Sequence, residues 1–381
     1  MLNKKVMSAV IGLTLLSAYN ANAYETLARN AILMDFETGE YLFEKNVKES
    51  VPPASMSKLM TVYILADKIK NGSVKLSDKF TVSENAWRKG GAATGGSTMF
   101  LAIGDEVTVE DLIKGIVIQS GNDACIVVAE NIAGSEEDFA ILMNKTAKKL
   151  GLENSSFANS TGLPNPDQRM SMEDLAILSR HIIKEFPDLY HYFSEKEFVY
   201  NKIKQGNRNP LLYSMKGADG LKTGHTEEAG FCLAASATKD GRRLIEVMSG
   251  MSSNNERSEE SERLMSWGFR EFNNYKLLSA GQNLGEAKVW YGRQESVALT
   301  VDEDVVKTIP VSQTDKVKVS AEYDEPLKAP IAKGQKVGEV KIEIDGKPVL
   351  NIPLVAATEV KEVGLWGKFL ANVNYFIFGA K

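Results

Sequence analysis

Residues 53–60 read Pro53-Ala54-Ser55-Met56-Ser57-Lys58-Leu59-Met60, and the rest of this 381-residue chain is best understood from them. Pro52-Pro53 ends any preceding regular element. The apolar periodicity of Ser57 to Lys70 then predicts a helix, stopped by Asn71-Gly72. Ser55 and Lys58 are three apart, so they share a helix face and can touch. A helix N-terminus offers unpaired N–H groups and a positive potential, both of which favour a developing oxyanion. A serine hydroxyl needs a base before it attacks. A lysine serves once its amine is neutral, and burial beside other cations lowers its pKa. Taken alone, the pair also reads as an N-cap serine and a solvated lysine.

Two further motifs change that balance. Ser120-Gly121-Asn122 follows one apolar helical run (Leu112 to Ile118) and precedes another (Ala124 to Ala129). On such a turn Ser120 can relay a proton and Asn122 can hold a substrate amide, although Ser-Gly-Asn is also ordinary turn chemistry. Lys222-Thr223-Gly224 precedes the strand-like run Phe231–Thr238. There a lysine can bind a carboxylate or serve as the second cation near Lys58, and small residues let a peptide lie along a strand edge. The plain alternative is an exposed strand start with a turn glycine.

Ser-x-x-Lys, Ser-x-Asn and Lys-Thr-Gly, in that order, resemble the set carried by penicillin-binding proteins and class A β-lactamases. The likeness is closer to the low-molecular-mass penicillin-binding proteins, the D-alanyl-D-alanine carboxypeptidases of the type 5/6 group. Gln119-Ser120-Gly121-Asn122-Asp123-Ala124, Asp219-Gly220-Leu221-Lys222-Thr223-Gly224-His225-Thr226 and Asn159-Ser160-Thr161-Gly162-Leu163-Pro164 carry it. The resemblance implies an α/β (α+β) β-lactamase-like catalytic domain with an all-helical subdomain. Ser55 would attack the bond between two D-alanines of a peptidoglycan stem pentapeptide, Lys58 would be the base, and Ser120, with Lys222 nearby, would carry the proton to departing D-alanine. Backbone N–H groups of Ser55 and His225 would form the oxyanion hole. Asn122, Lys222, Thr223, Gly224 and His225 would bind substrate. Arg257 or Arg208 would take its free carboxylate, a task for which bidentate geometry favours arginine. β-Lactams would inhibit by acylating the same serine. No cofactor and no metal are implied.

Three rival functions follow from the same residues. A class A β-lactamase needs a glutamate for its deacylating water, and no Glu-x-x-Leu-Asn is present; Glu153-Asn154 comes nearest. A D,D-endopeptidase would cut cross-links. A catalytically idle wall-binding scaffold would need none of the intact motifs. The Gly-rich Gly90–Gly96 suggests a loop beside the site, and no Gly-Lys-Ser/Thr follows it to make a phosphate loop.

Outward from the motifs, residues 1–23 read as an export signal. Lys4 and Lys5 precede the apolar run Val6–Ala18, and Ala21-Asn22-Ala23 offers a cleavage site. Cleavage would take the net charge from −5 to −5 − 2 = −7. An acidic chain is a poor nucleic-acid binder, and 3 His with 2 Cys argue against structural zinc. Cys125 and Cys232 lie in apolar stretches, which predicts two buried, unpaired thiols. Residues 24–275 mix helical patterns (Val109–Gln119, Glu136–Leu150, Met172–Glu185, Arg257–Phe272) with strands (Ala31–Phe36, Tyr41–Glu44, Gly230–Thr238, Arg243–Ser249), an α/β domain. A linker is expected over 276–286. Residues 287–357 show short alternating runs, with Asp345-Gly346 as a hairpin signal, and read as a small all-β domain. In 358–381, Val363, Trp366, Phe369, Leu370, Val373, Phe376 and Ile377 make one apolar helical face, suited to lying on a membrane surface. Together these place the protein outside the cytoplasm, on the periplasmic face of the inner membrane.

Overall fold

The computed structural model describes residues 3–9 and 24–378. They form two units, one built on residues 24–270 and the other on 271–378 with the strand Asn3–Ala9. The cleavage site expected at Ala21-Asn22-Ala23 lies outside the described residues.

In the first unit five strands form one antiparallel sheet: β1 (Asn30–Asp35), β2 (Tyr41–Lys45), β3 (Ala218–Thr226), β4 (Gly230–Lys239) and β5 (Arg242–Met251), in the order β2-β1-β5-β4-β3. Their continuous apolar runs reflect burial on both faces. Ile32, Met34, Cys232, Ala234, Ile245 and Val247 face one core, while the alternate Leu33, Leu233, Ala235, Leu244 and Met248 face another.

The second core is closed by the helix that ends this unit, through Leu264 and Met265. Gly268 is required there, because a Cβ would meet Leu33 Cδ2 at 2.3 Å. The first core is built around α1 (Lys58–Lys70), whose residues Lys58 to Ala66 are all buried. α2 (Asn122–Ala133), α3 (Glu136–Leu150) and α4 (Met172–Glu185) complete it. Ser135 and Ser171 cap α3 and α4 by accepting from Asp138 N and Asp174 N. The closing helix, α5, runs Asn254–Glu271.

Two local expectations differ from the structure. The helix expected over Val109–Gln119 is α-helical only to Lys114; Gly115–Gln119 is a π-turn. Such a turn carries one extra residue and often marks a functional position. Lys222-Thr223-Gly224 precedes the strand β4 as expected, but it also lies inside a strand of its own, β3, and is buried there instead of being an exposed strand start. Its lysine and glycine are depleted in strands and Thr223 alone favours one, so tertiary burial decided the outcome.

The second unit contains β6 (Phe272–Leu278), β7 (Glu286–Trp290), β8 (Ser296–Thr300), β9 (Val305–Pro310), β10 (Val317–Glu325), β11 (Lys336–Ile344) and β12 (Lys347–Ala356). The main sheet runs from the strand Asn3–Ala9 through β10-β11-β12-β8-β7 to Leu327–Lys328, and β6 pairs with β9. Asp345 and Gly346 both take positive φ at the β11–β12 hairpin, as that turn requires. The strand β6 occupies the start of the segment expected to be a linker. Its polar Asn273-Asn274 hid a pairing that only β9 supplies. The tail helix, α6, spans Leu365–Phe378. Its Leu365, Trp366 and Phe376 are 86%, 80% and 93% exposed. No helix among the described residues is long and apolar enough to cross a membrane.

Candidate active site

Ser55 sits in a short 3-10 turn, Ala54–Ser57, and Lys58 is the first residue of α1. The chain enters this turn under strain. Ala54 has φ +48°, a conformation that L residues seldom adopt. Gly162, at φ +78°, lies against it so closely that a Cβ would fall 2.0 Å from the Ala54 carbonyl oxygen. The loop carrying Gly162 is wired in place. Asn159 Oδ1 accepts from Thr161 N and Gly162 N, and Gln168 Nε2 donates to Ser57 Oγ at 2.5 Å.

Lys58 Nζ donates to Ser55 Oγ at 3.0 Å, to Asn122 Oδ1 at 2.8 Å and to the Thr161 carbonyl at 2.5 Å. The side chain is fully buried. Burial lowers its pKa to about 8, and the Arg208 charge adds to this while Cys125 and Asp123 oppose it. Desolvation is thus the main cause, and the Arg208 charge reinforces it. Lys222 is itself buried, and burial followed by the Lys58 and Arg208 charges holds its pKa well below the usual value. Its Nζ donates to the Thr223 carbonyl at 2.9 Å.

Ser120 follows the π-turn at φ +67°. Its Oγ is buried without a hydrogen-bond partner, an expensive state unless a ligand completes it. Asn122 opens α2 and spends its carbonyl on Lys58. Asp123 beside it accepts from Thr98 Oγ1 and from the N–H groups of Met99 and Leu101, which pins the 98–101 loop to α2. Gly224 brings β3 onto the turn that carries Ser55: a Cβ there would meet the Ala54 Cβ and the Pro53 oxygen at 3.1 Å and the Ser55 nitrogen at 3.3 Å.

These residues line one cleft of about 600 Å³, with Ser55, Ser120, Asn122, Thr223, Gly224, His225, Arg208 and Arg257 on its walls and no carboxylate among the lining residues. The sequence-predicted set is therefore brought together, with Lys58 and Lys222 buried behind the walls. Arg208 Nη1 donates to Ser97 Oγ at 2.7 Å. Arg257 Nη1 donates to the Cys232 carbonyl at 3.3 Å and Nη2 bonds Asn254 Oδ1. Burial lowers the Arg257 pKa to about 10. Sequence reasoning missed Phe231, Asn254 and Ser97, which also line the cleft. Asn254, three residues before Arg257 at the start of α5, carried the only local signal. Both cysteines are free and buried, and desolvation pushes Cys125 to about 12 and Cys232 to about 11.

This arrangement has close counterparts. Residues 17–253 match the family model of D-alanyl-D-alanine carboxypeptidase, and residues 272–362 match that of the penicillin-binding protein 5 C-terminal domain. The D-alanyl-D-alanine carboxypeptidase DacC of Escherichia coli is 43% identical over 344 residues, covering 90% of this chain and 86% of the relative. Penicillin binding protein 5 from Haemophilus influenzae superposes with a TM-score of 0.81 at 39% identity, over 90% of this chain and 100% of that one. Penicillin-binding protein D2 from Listeria monocytogenes, solved in an ampicillin-bound form, matches at TM-score 0.56 and 30% identity over 65% of this chain and 100% of that one. A serine-and-lysine pair beside a Lys-Thr-Gly strand, a second all-β unit and these likenesses agree: the chain belongs to the D-alanyl-D-alanine carboxypeptidase family of serine peptidases and is an enzyme of that kind.

Proposed function

We propose that Ser55 is the nucleophile and Lys58 the general base in removal of the terminal D-alanine from peptidoglycan stem pentapeptides. The observation that carries this is the 3.0 Å contact between Lys58 Nζ and Ser55 Oγ, made by an amine whose pKa is lowered to about 8. The neutral amine takes the hydroxyl proton as Ser55 Oγ bonds to the carbonyl carbon between the two D-alanines. The backbone N–H groups of Ser55 and His225 stabilise the oxyanion. The C–N bond breaks as Ser120 passes a proton to the departing amine, fed by the buried lysines. Water then adds to the ester, its proton returns through the same groups, and Ser55 is restored.

Arg257 and Arg208 in a cleft without lining carboxylates favour an anionic end to the substrate. This supports a carboxypeptidase over an endopeptidase. A β-lactam would acylate Ser55 by the same attack. Its leaving nitrogen stays attached to the acyl group after the ring opens, where a peptide would have lost its D-alanine, so the adduct leaves slowly. Residues 1–23 act as a cleaved export signal, whose removal takes the strand Asn3–Ala9 from the sheet and leaves β10 as its edge, and the exposed apolar residues of α6 hold the enzyme to the periplasmic face of the inner membrane, where it acts in cell-wall formation and shape.

The test is D-alanine release from a pentapeptide ending in D-Ala-D-Ala, with Ser55→Ala as control. Release by the unaltered enzyme alone is expected. Release by Ser55→Ala, or a penicillin adduct on it, would sink the assignment.

A further inference from the structure

Phe231 opens β4 directly opposite His225 on β3. The two rings stack, with centroids 4.0 Å apart and planes inclined by 31°. The Arg257 guanidinium lies over the same Phe231 ring, its carbon 5.6 Å from the centroid. All three side chains border the cleft. One aromatic ring therefore links a residue beside the nucleophile to the arginine at the far wall.

The arginine is held on three sides. Its two terminal nitrogens are engaged by the Cys232 carbonyl and Asn254 Oδ1, and Phe231 supplies a flat surface beneath it. Its Nε is buried and has no hydrogen-bond partner. A guanidinium is planar and stacks well, and a desolvated cation over a ring is stabilised more than an exposed one. A long side chain without such a platform regains rotamer freedom, which then has to be lost again when ligand binds.

We propose that Phe231 is a positioning residue for recognition of the substrate's free carboxylate. Its ring fixes the plane of the Arg257 guanidinium and ties it to the His225 ring, so that the guanidinium at the cleft wall is oriented before substrate arrives. This rests on the reading that Arg257 takes that carboxylate.

The test compares kcat/KM for two pentapeptides, one ending in a free D-Ala-D-Ala carboxylate and one in the carboxamide, in the unaltered enzyme, Phe231→Leu and Phe231→Tyr. The acid-over-amide preference falls about tenfold in Phe231→Leu, mainly through KM of the acid peptide, and Phe231→Tyr restores it. A merely structural role would lower both peptides together and leave the ratio unmoved. If the unaltered enzyme prefers the acid and Phe231→Leu keeps that preference, the Phe231 proposal falls alone. If the unaltered enzyme shows no preference, the Arg257 reading falls and takes this one with it. Should Phe231→Leu not fold, Phe231→Met, which is apolar and has no ring face, carries the same prediction.

Discussion

Lys58 donates to the Ser55 hydroxyl across 3.0 Å from a position with no solvent exposure. On the proposed mechanism, burial is what lets this lysine act as a base, and it sets a pH dependence. Below a pKa of about 8 the amine is protonated and unable to accept, so at pH 7 only about one-tenth of it is competent. Acylation by a fluorescent penicillin should rise about tenfold per unit from pH 6 towards 8 and level off above. Lys58→Arg keeps the charge but offers no neutral form, and should lose about 10²–10⁴-fold at every pH. A flat profile would show that another group takes the proton.

Ser120 separates activity from stability. Its hydroxyl is buried and unpaired, so removing it relieves a desolvation cost instead of breaking a bond. Ser120→Ala should melt within a few degrees of the unaltered enzyme or slightly above it, while D-alanine release falls about 10²-fold or more. A large drop in melting temperature would place Ser120 in the framework instead.

Gly162 and Gly104 have nearly equal positive φ and opposite surroundings. Gly162→Ala would drive a Cβ into the Ala54 carbonyl, whereas nothing lies within 4 Å of a Cβ on Gly104. Gly104→Ala should cost about 1 kcal/mol from backbone strain alone. Gly162→Ala should cost about 3 kcal/mol or more and slow acylation as well, because the displaced residue precedes the nucleophile. Equal losses in chemical denaturation would refute the contact.

Glu246 lies on β5 in the core, with both carboxyl oxygens buried and its pKa raised well above the usual value by desolvation, which Ser261 offsets only in part. The unfolded chain loses this proton near pH 4.3 and the folded one keeps it, so stability falls as pH rises above that point. Glu246→Met should raise stability by about 1–3 kcal/mol at pH 8 and by less at pH 5. The two melting curves at each pH decide it.

The tail makes a prediction of its own. Deleting residues 360–381 removes the exposed apolar residues of α6. The truncated enzyme should be active and recovered in the soluble fraction. Active enzyme that still sediments with membranes would locate the anchor elsewhere.

Much of the catalytic site was legible because short spacing carries it. Ser55 and Lys58 sit one turn apart, and Ser120 and Asn122 flank one glycine, so local geometry brings each pair together. The burial of Lys222 was not legible, since it depends on the neighbours of β3 and not on the residues near it in sequence. Phe231 reads as one more strand aromatic until the pairing of β3 with β4 sets it against His225. The π-turn before Ser120 was hidden as well, because Gly115-Ile116-Val117-Ile118 fits an ordinary helix.

The distances along the chain have a consequence for biosynthesis. Lys58 reaches Asn122 across 64 positions and Thr161 across 103, and Arg257 closes the far wall of the same cleft. No fragment short of α5 holds the whole constellation, and contacts so remote in sequence form late, after the loops between them have closed. On the proposed mechanism, covalent capture of a penicillin by Ser55 is therefore a folding reporter for the first unit: it counts chains in which that unit is assembled, and nascent or truncated chains that end before Arg257 should stay unlabelled.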